Sequence, residues 1–161
     1  MQAAPISLLK KTLREYDKPE LIELCLRLAK FKKDSKELLS YLLFDDHDKE
    51  SYIATVKLEI EDEFEEINTS SYYYIKKSAR KVLRNIKKYI RFTQSKEVEV
   101  ELLMHWCICL KEITPSYVGN IGLTNLYDRQ VILIRKAFST LNEDLQFDYE
   151  QQINELLQHS S

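Results

Sequence analysis

The chain has 161 residues and a formal net charge of −2, with 44% hydrophobic and 31% charged residues. This composition is too apolar for a disordered chain and too polar for one that inserts into a membrane. Only two glycines and three prolines occur, which argues against the turn-rich all-β classes. We therefore expect an all-α protein without a β-sheet, secretory leader or membrane span, located in the cytoplasm.

The first half of the chain shows four helical patterns that are separated by polar breaks. Apolar residues at helical spacing predict helices over the ranges 6–16, 19–32, 35–44 and 49–67. Asp34 is the predicted N-cap of the third helix. The leucines of that helix are expected to face inward: Leu38, Leu39, Leu42 and Leu43. The acidic break at 45–48 is expected to cap the fourth helix.

The second half of the chain shows four further patterns, over the ranges 71–92, 96–113, 125–140 and 143–158. Their predicted N-caps include Ser95, Thr124 and Asn142. The helix 96–113 is apolar almost all round, so we expect it at the centre of the fold. The segment 114–123 contains both glycines and is predicted to be a mobile or functional loop.

Short links between these helices predict antiparallel packing of about eight helices. We expect one all-helical domain over 1–161, with N-terminal helices in 1–67 and C-terminal helices in 71–161. The architecture is predicted to be either an α-α superhelix of the HEAT type or an irregular bundle. Ser-Lys-Glu at 35–37 recurs at 95–97, which is too short an identity to establish a repeat.

The strongest feature of the sequence is a separation of charge between the fourth and fifth predicted helices. Ten acids and two bases give the segment 45–67 a charge of −8, and eight bases without an acid give 71–95 a charge of +8. On a helical projection the bases occupy one face, opposite the apolar stripe. The bases are Lys76, Lys77, Arg80, Lys81, Arg84, Lys87, Lys88 and Arg91.

Two interpretations of this basic face remain open. If the two helices pack side by side, the acids of the fourth could neutralise the bases of the fifth, and each exposed pair would contribute ~0.2–1 kcal/mol. Alternatively, the bases form a binding surface for an acidic protein or a phosphate backbone. Tyr72, Tyr73 and Tyr74 begin this helix and could then stack on bases, and at least one of them should be exposed.

Other candidate sites are weaker. His105 and Cys109 share a helical face, but a structural zinc needs four ligands, so we expect core packing and no metal. The acidic segment 45–50 lacks the EF-hand pattern. Five tyrosines at helical intervals are expected at the edge of the core with their hydroxyls in water: Tyr41, Tyr52, Tyr89, Tyr127 and Tyr149. No motif for a cofactor or for catalysis occurs.

These observations lead to three hypotheses of function. The first is a non-catalytic helical scaffold or adaptor whose partner is another protein. The second is a nucleic-acid or anion binder that uses the basic helix. The third is an enzyme whose site is assembled between helices near the loop 114–123, with no catalytic residue identified. The sequence does not specify an oligomeric state.

Overall fold

The computed structural model describes residues 1–158, and every regular element in that range is helical, which confirms the all-α class. The Leu157 side chain, which was predicted to face inward, and residues 159–161 lie outside the described part. The α-helices are α1 Ile6–Leu13, α2 Lys18–Phe31, α3 Lys33–Ser40, α4 Lys49–Glu65, α5 Tyr72–Thr93, α6 Lys96–Glu112, α7 Ile121–Phe138 and α8 Glu143–Gln158.

The chain forms two compact units, which divide between Asp45 and Asp46. The sequence placed its division at 67–71, which lies inside the second unit, in the link between α4 and α5. The prediction of one domain over 1–161 and that of a HEAT-like array both stay predictions.

In the first unit, α2 packs against α3, and a π-helical turn, Tyr41–Asp45, follows α3. A capping box starts α2, because Asp17 accepts a hydrogen bond from the Glu20 N–H and the Glu20 carboxylate accepts one from the Asp17 N–H. The prediction that Asp34 caps α3 is wrong. Lys32 occupies the N-cap position without a side-chain bond, so Asp34 lies in the first turn, where it complements the helix dipole.

The leucines at the end of the first unit are more exposed than predicted. The side chains of Leu42 and Leu43 are 53% and 62% exposed, and that of Leu38 is also exposed. Their inward orientation was therefore wrong, and only Leu39 is half-buried. Leu42 and Leu43 lie within the π-helical turn, whose residue spacing differs from that of a regular α-helix.

The second unit is organised around α6. The helices α4, α5, α7 and α8 all pack against it, and nine of its residues are buried. Trp106 is fully buried, and its Nε1–H donates a hydrogen bond of 3.1 Å to the Ala79 carbonyl of α5. The central position predicted for this helix is confirmed, because a helix that is apolar on several sides needs neighbours on several sides.

The helices α4 and α5 are capped as their sequences suggest. Asp48 accepts a hydrogen bond from the Ser51 N–H at the start of α4, and Ser71 accepts one from the Tyr74 N–H at the start of α5. Left-handed Gln94, with φ of 51°, ends α5. The predicted stripes are buried over most of their length: Val56, Ile60 and Phe64 in α4, and Ile75, Ala79, Val82, Leu83 and Ile86 in α5.

The start of α7 differs from its prediction. Asn120, not Thr124, is the N-cap, because its side chain accepts a hydrogen bond of 3.1 Å from the Leu123 N–H. Thr124 lies inside the helix and donates to the carbonyls of Asn120 and Tyr117. The predicted loop 114–123 is therefore shorter and contains a 3-10 turn, Tyr117–Gly119. Gly122 is helical, since a strong upstream cap outweighs the weak helix propensity of one glycine.

Three tyrosines that were expected at the edge of the core are buried, namely Tyr41, Tyr127 and Tyr149. The Tyr127 hydroxyl donates to the Leu156 carbonyl at 3.2 Å. The Tyr149 hydroxyl lies 2.8 Å from a Glu101 carboxylate oxygen and 3.0 Å from one of Glu97. For these last two residues the prediction failed because a neighbouring helix, instead of water, supplies the partner of the hydroxyl.

Candidate functional site

The buried stripe of α5 determines where its charged side chains lie. Because the apolar face packs inward, the basic face points outward along the length of the helix. Five of its cations are exposed: Lys77, Arg80, Lys81, Arg84 and Arg91. The other three are half-buried: Lys76, Lys87 and Lys88. The cationic face predicted from the sequence is thus a continuous surface of α5, and we call it the basic surface.

The ion pairs predicted between α4 and the basic surface are missing for seven of its eight cations. Within residues 1–158, no carboxylate lies at salt-bridge distance from any of these seven. They are Lys76, Lys77, Arg80, Lys81, Arg84, Lys87 and Arg91. The remaining cation, Lys88, has its Nζ 5.4 Å from the centroid of the Tyr89 ring. Of the two interpretations left open by the sequence, ion pairing with α4 therefore does not hold for these seven cations.

The physical reason is that two charged side chains of α4, Lys57 and Glu61, contact α6 instead of α5. Lys57 of α4 forms an ion pair with Glu101 of α6. Glu61 Oε1 lies 2.9 Å from His105 Nε2, close enough for an ion pair although without the direction of a good hydrogen bond. Since α4 packs mainly against α6, its inner flank meets α6, while the cations of α5 stand on the face opposite the buried stripe.

Lys87 lies where the basic surface approaches α7. Burial lowers its pKa, the nearby Arg129 guanidinium of α7 lowers it further, and Glu99 raises it. Sequence reasoning missed Arg129 and its neighbour Gln130, which is a buried polar residue. A signal for Gln130 existed, because it falls between Tyr127 and Ile134 at helical spacing and so belongs to the buried face of α7.

The three tyrosines at the start of α5 have different environments. Tyr72 is half-buried, and its hydroxyl donates to the Ser116 carbonyl at 2.9 Å. A Cβ on Gly119 would lie 2.2 Å from that hydroxyl, so the glycine gives the tyrosine its room. Tyr73 and Tyr74 are exposed and meet edge to face at 5.3 Å. The expected exposure of at least one of them is confirmed, while Tyr72 has a structural contact.

A second polar site lies between α4 and α6. A cavity of about 450 Å³ is lined by Glu61, His105 and Cys109, among others, and reaches the start of the predicted loop at Thr114. Burial and Lys57 lower the pKa of His105, whereas Glu61 and Glu101 raise it. Burial raises the pKa of Cys109 to about 12, so this thiol is not an activated nucleophile at neutral pH.

Within residues 1–158, no group of three or more His, Cys, Asp or Glu side chains is arranged to hold a metal ion. No helix in the same range is both long enough and apolar enough to cross a bilayer. Comparison with known proteins finds no matching family model, no matching curated protein and no matching solved structure.

Proposed function

We propose that this protein is a non-catalytic interaction module, which binds an acidic segment of a partner protein through the basic surface of α5. The observation that supports the proposal is the lack of carboxylate partners for seven of the eight cations on that surface, within the described residues. Oppositely charged surfaces steer association and select the partner, which is the use that fits an unneutralised face on a well-packed helix.

The unpaired cations also destabilise the free protein. Pairs such as Lys76 and Arg80, or Lys87 and Arg91, are four residues apart on α5 and repel each other. Each like-charge pair of this spacing costs ~0.2–0.5 kcal/mol. An acidic partner would reduce this repulsion between cations when it binds. Part of the binding free energy would therefore come from the loss of like-charge repulsion on α5.

A protein partner is favoured over nucleic acid by the charges that surround the basic surface. The whole chain carries −2, and the neighbouring helix α4 exposes acids that include Asp62 and Glu65. A long polyanion would meet both helices, whereas a short acidic segment can contact α5 alone. Tyr73 and Tyr74 are exposed near the basic surface, where they could stack on nucleic-acid bases. Nucleic acid is therefore the alternative outcome of the test.

The test uses a fluorescent synthetic peptide with the sequence of residues 50–67, whose seven acids and one lysine give −6. Anisotropy titrations at about 50 and 200 mM salt should show binding that weakens as salt screens the charges. The variant Arg80→Glu with Arg84→Glu should weaken binding at least tenfold, about 1.4 kcal/mol. The control variant Arg135→Glu with Lys136→Glu changes the net charge equally on exposed residues of α7 and should bind nearly as the wild type does.

Three results would contradict the proposal. Equal losses in the two variants would show that only net charge matters. Failure of the wild type to bind the peptide at the lower salt would remove the basic surface as an interaction site. Tighter binding of single-stranded or duplex DNA or RNA, lost in the same α5 variant, would replace the protein partner with nucleic acid.

A further inference from the structure

Some cations of the basic surface line cavities beside α5, and others do not. On the side toward α7, two cavities of about 430 and 570 Å³ adjoin and share Lys87 and Leu133. Arg80 lines the first cavity and Arg91 the second. We call the two cavities together the α5–α7 groove. The exposed cations Lys77, Lys81 and Arg84 line neither of them.

A cation from the opposite helix adds to the charge of this groove. Arg129 of α7 lines the first cavity together with Arg80 and Lys87. Its Nε donates to the Asn125 carbonyl of its own helix, and no described carboxylate lies at salt-bridge distance from it. Three cations from two helices therefore converge on one cavity whose own lining contains no acid, which favours an anionic occupant. The nearby Glu99 lines the second cavity and is paired with Lys96.

The rest of the first cavity is mostly apolar, whereas the second cavity mixes apolar residues with Gln94, Ser95 and the ion-paired Lys96 and Glu99. Leu83, Leu126 and Ile132 line the first cavity, and Ile90 and Leu103 line the second. Ile132 is 63% exposed and lines the first cavity beside Arg80, Lys87 and Arg129. A simple anion such as phosphate would leave these apolar walls in water. The groove therefore matches a ligand that carries both carboxylates and apolar side chains.

Gln130 also lies in the wall of the first cavity. Its Nε2–H donates to the Leu126 carbonyl at 3.0 Å, whereas its buried Oε1 has no hydrogen-bond partner. A buried acceptor without a donor is unfavourable, and a water held in the wall of the cavity would supply that donor.

We propose that the α5–α7 groove binds an acidic amphipathic helix of a partner protein, with its carboxylates on Arg80, Lys87 and Arg129 and its apolar side chains in the two cavities. This inference rests on the proposed function, and it specifies where the partner binds and that the bound segment is helical. Arg80 and Arg91 are separated by ~17 Å along α5, about three helical turns. Apolar side chains at positions i, i+4, i+7 and i+11 on one face of a helix span that length.

The experiment compares two pairs of alanine variants with the same acidic peptide of residues 50–67. The groove pair is Arg80→Ala with Arg129→Ala, and the matched pair outside the groove is Lys81→Ala with Arg84→Ala. Both remove two cations, so salt screening and net charge are the same. A second peptide replaces Ile60, Phe64 and Ile67 by serine and retains every charge. Thermal melting of all variants verifies that each is folded.

The groove pair should weaken binding at least tenfold and the outside pair less than threefold, and the serine peptide should bind the wild type at least tenfold more weakly. Equal losses in the two pairs, with equal binding of the two peptides, would overturn the groove and leave a diffuse basic surface, so the proposed function would survive. Binding of neither peptide to the wild type would overturn both proposals.

Discussion

At the scale of single residues, the three thiols of the chain occupy contrasting environments. Cys25 in α2 is exposed, whereas Cys107 and Cys109 in α6 are buried. Burial raises the pKa of Cys107, and it raises that of Cys109 to about 12. A thiol reacts through its thiolate, so both pKa and access protect the two cysteines of α6 from reagents.

We therefore expect that, at pH 8, maleimide modifies one thiol of the folded protein rapidly and all three in denaturant. Mass spectrometry counts the adducts, and peptide mapping should place the rapid one at Cys25. The variant Cys25→Ser is the control, because its folded form should show no rapid adduct. Rapid modification of Cys107 or Cys109 in that variant would contradict the burial of α6.

At the scale of elements, helix ends depended on caps that the apolar pattern alone did not locate. The start of α7 is the best example, since two candidate caps, Asn120 and Thr124, precede apolar residues. The side chain of Asn120 accepts the hydrogen bond from Leu123, while Thr124 bonds back to carbonyls within the first turn. These two roles predict different costs of substitution.

The variant Asn120→Ala should lower the free energy of unfolding by about 1 kcal/mol, because the N-cap acceptor is lost. For Thr124→Ala, a gain in helix propensity of up to about 0.7 kcal/mol offsets hydrogen bonds of about 0.5–1.5 kcal/mol, so the net change should be small. Urea unfolding of both variants measures the difference. A larger cost for Thr124→Ala would instead support the helix start at 125 that the sequence suggested.

At the scale of the whole molecule, the second unit has a buried core of its own. All of its clustered buried side chains lie between Val56 and Leu156. The first helix of this unit, α4, is capped by Asp48 through Ser51, both also within the unit. A unit with its own core and its own cap should not need residues 1–45 to fold.

A truncated protein that begins at Asp46 should therefore remain helical by circular dichroism and unfold cooperatively in urea. Trp106 is the single tryptophan and is fully buried, so its fluorescence should stay that of a shielded indole until the unfolding transition. The full chain is the control. Loss of cooperativity, or a solvent-exposed tryptophan signal without denaturant, would show that the first unit completes the fold.

Local chemistry in the sequence determined the helical class, the buried stripes of α4 and α5, the central place of α6 and the cationic face of α5. Each follows from side chains a few residues apart, and helical spacing places such residues on one face whatever the helix packs against. After α3 the chain departs from α-helical spacing, because Leu42 and Leu43 lie in a π-helical turn.

Only the tertiary structure decided what surrounds those faces. The sequence suggested that the acids of α4 would meet the cations of α5, but Glu61 met His105 and Lys57 met Glu101 on α6. The tertiary structure also places Arg129, which is 49 residues from Arg80 in the chain, beside the same cavity as Arg80. Pairing and grooves depend on which helices pack together, and contacts between distant residues leave no periodic trace in a single sequence.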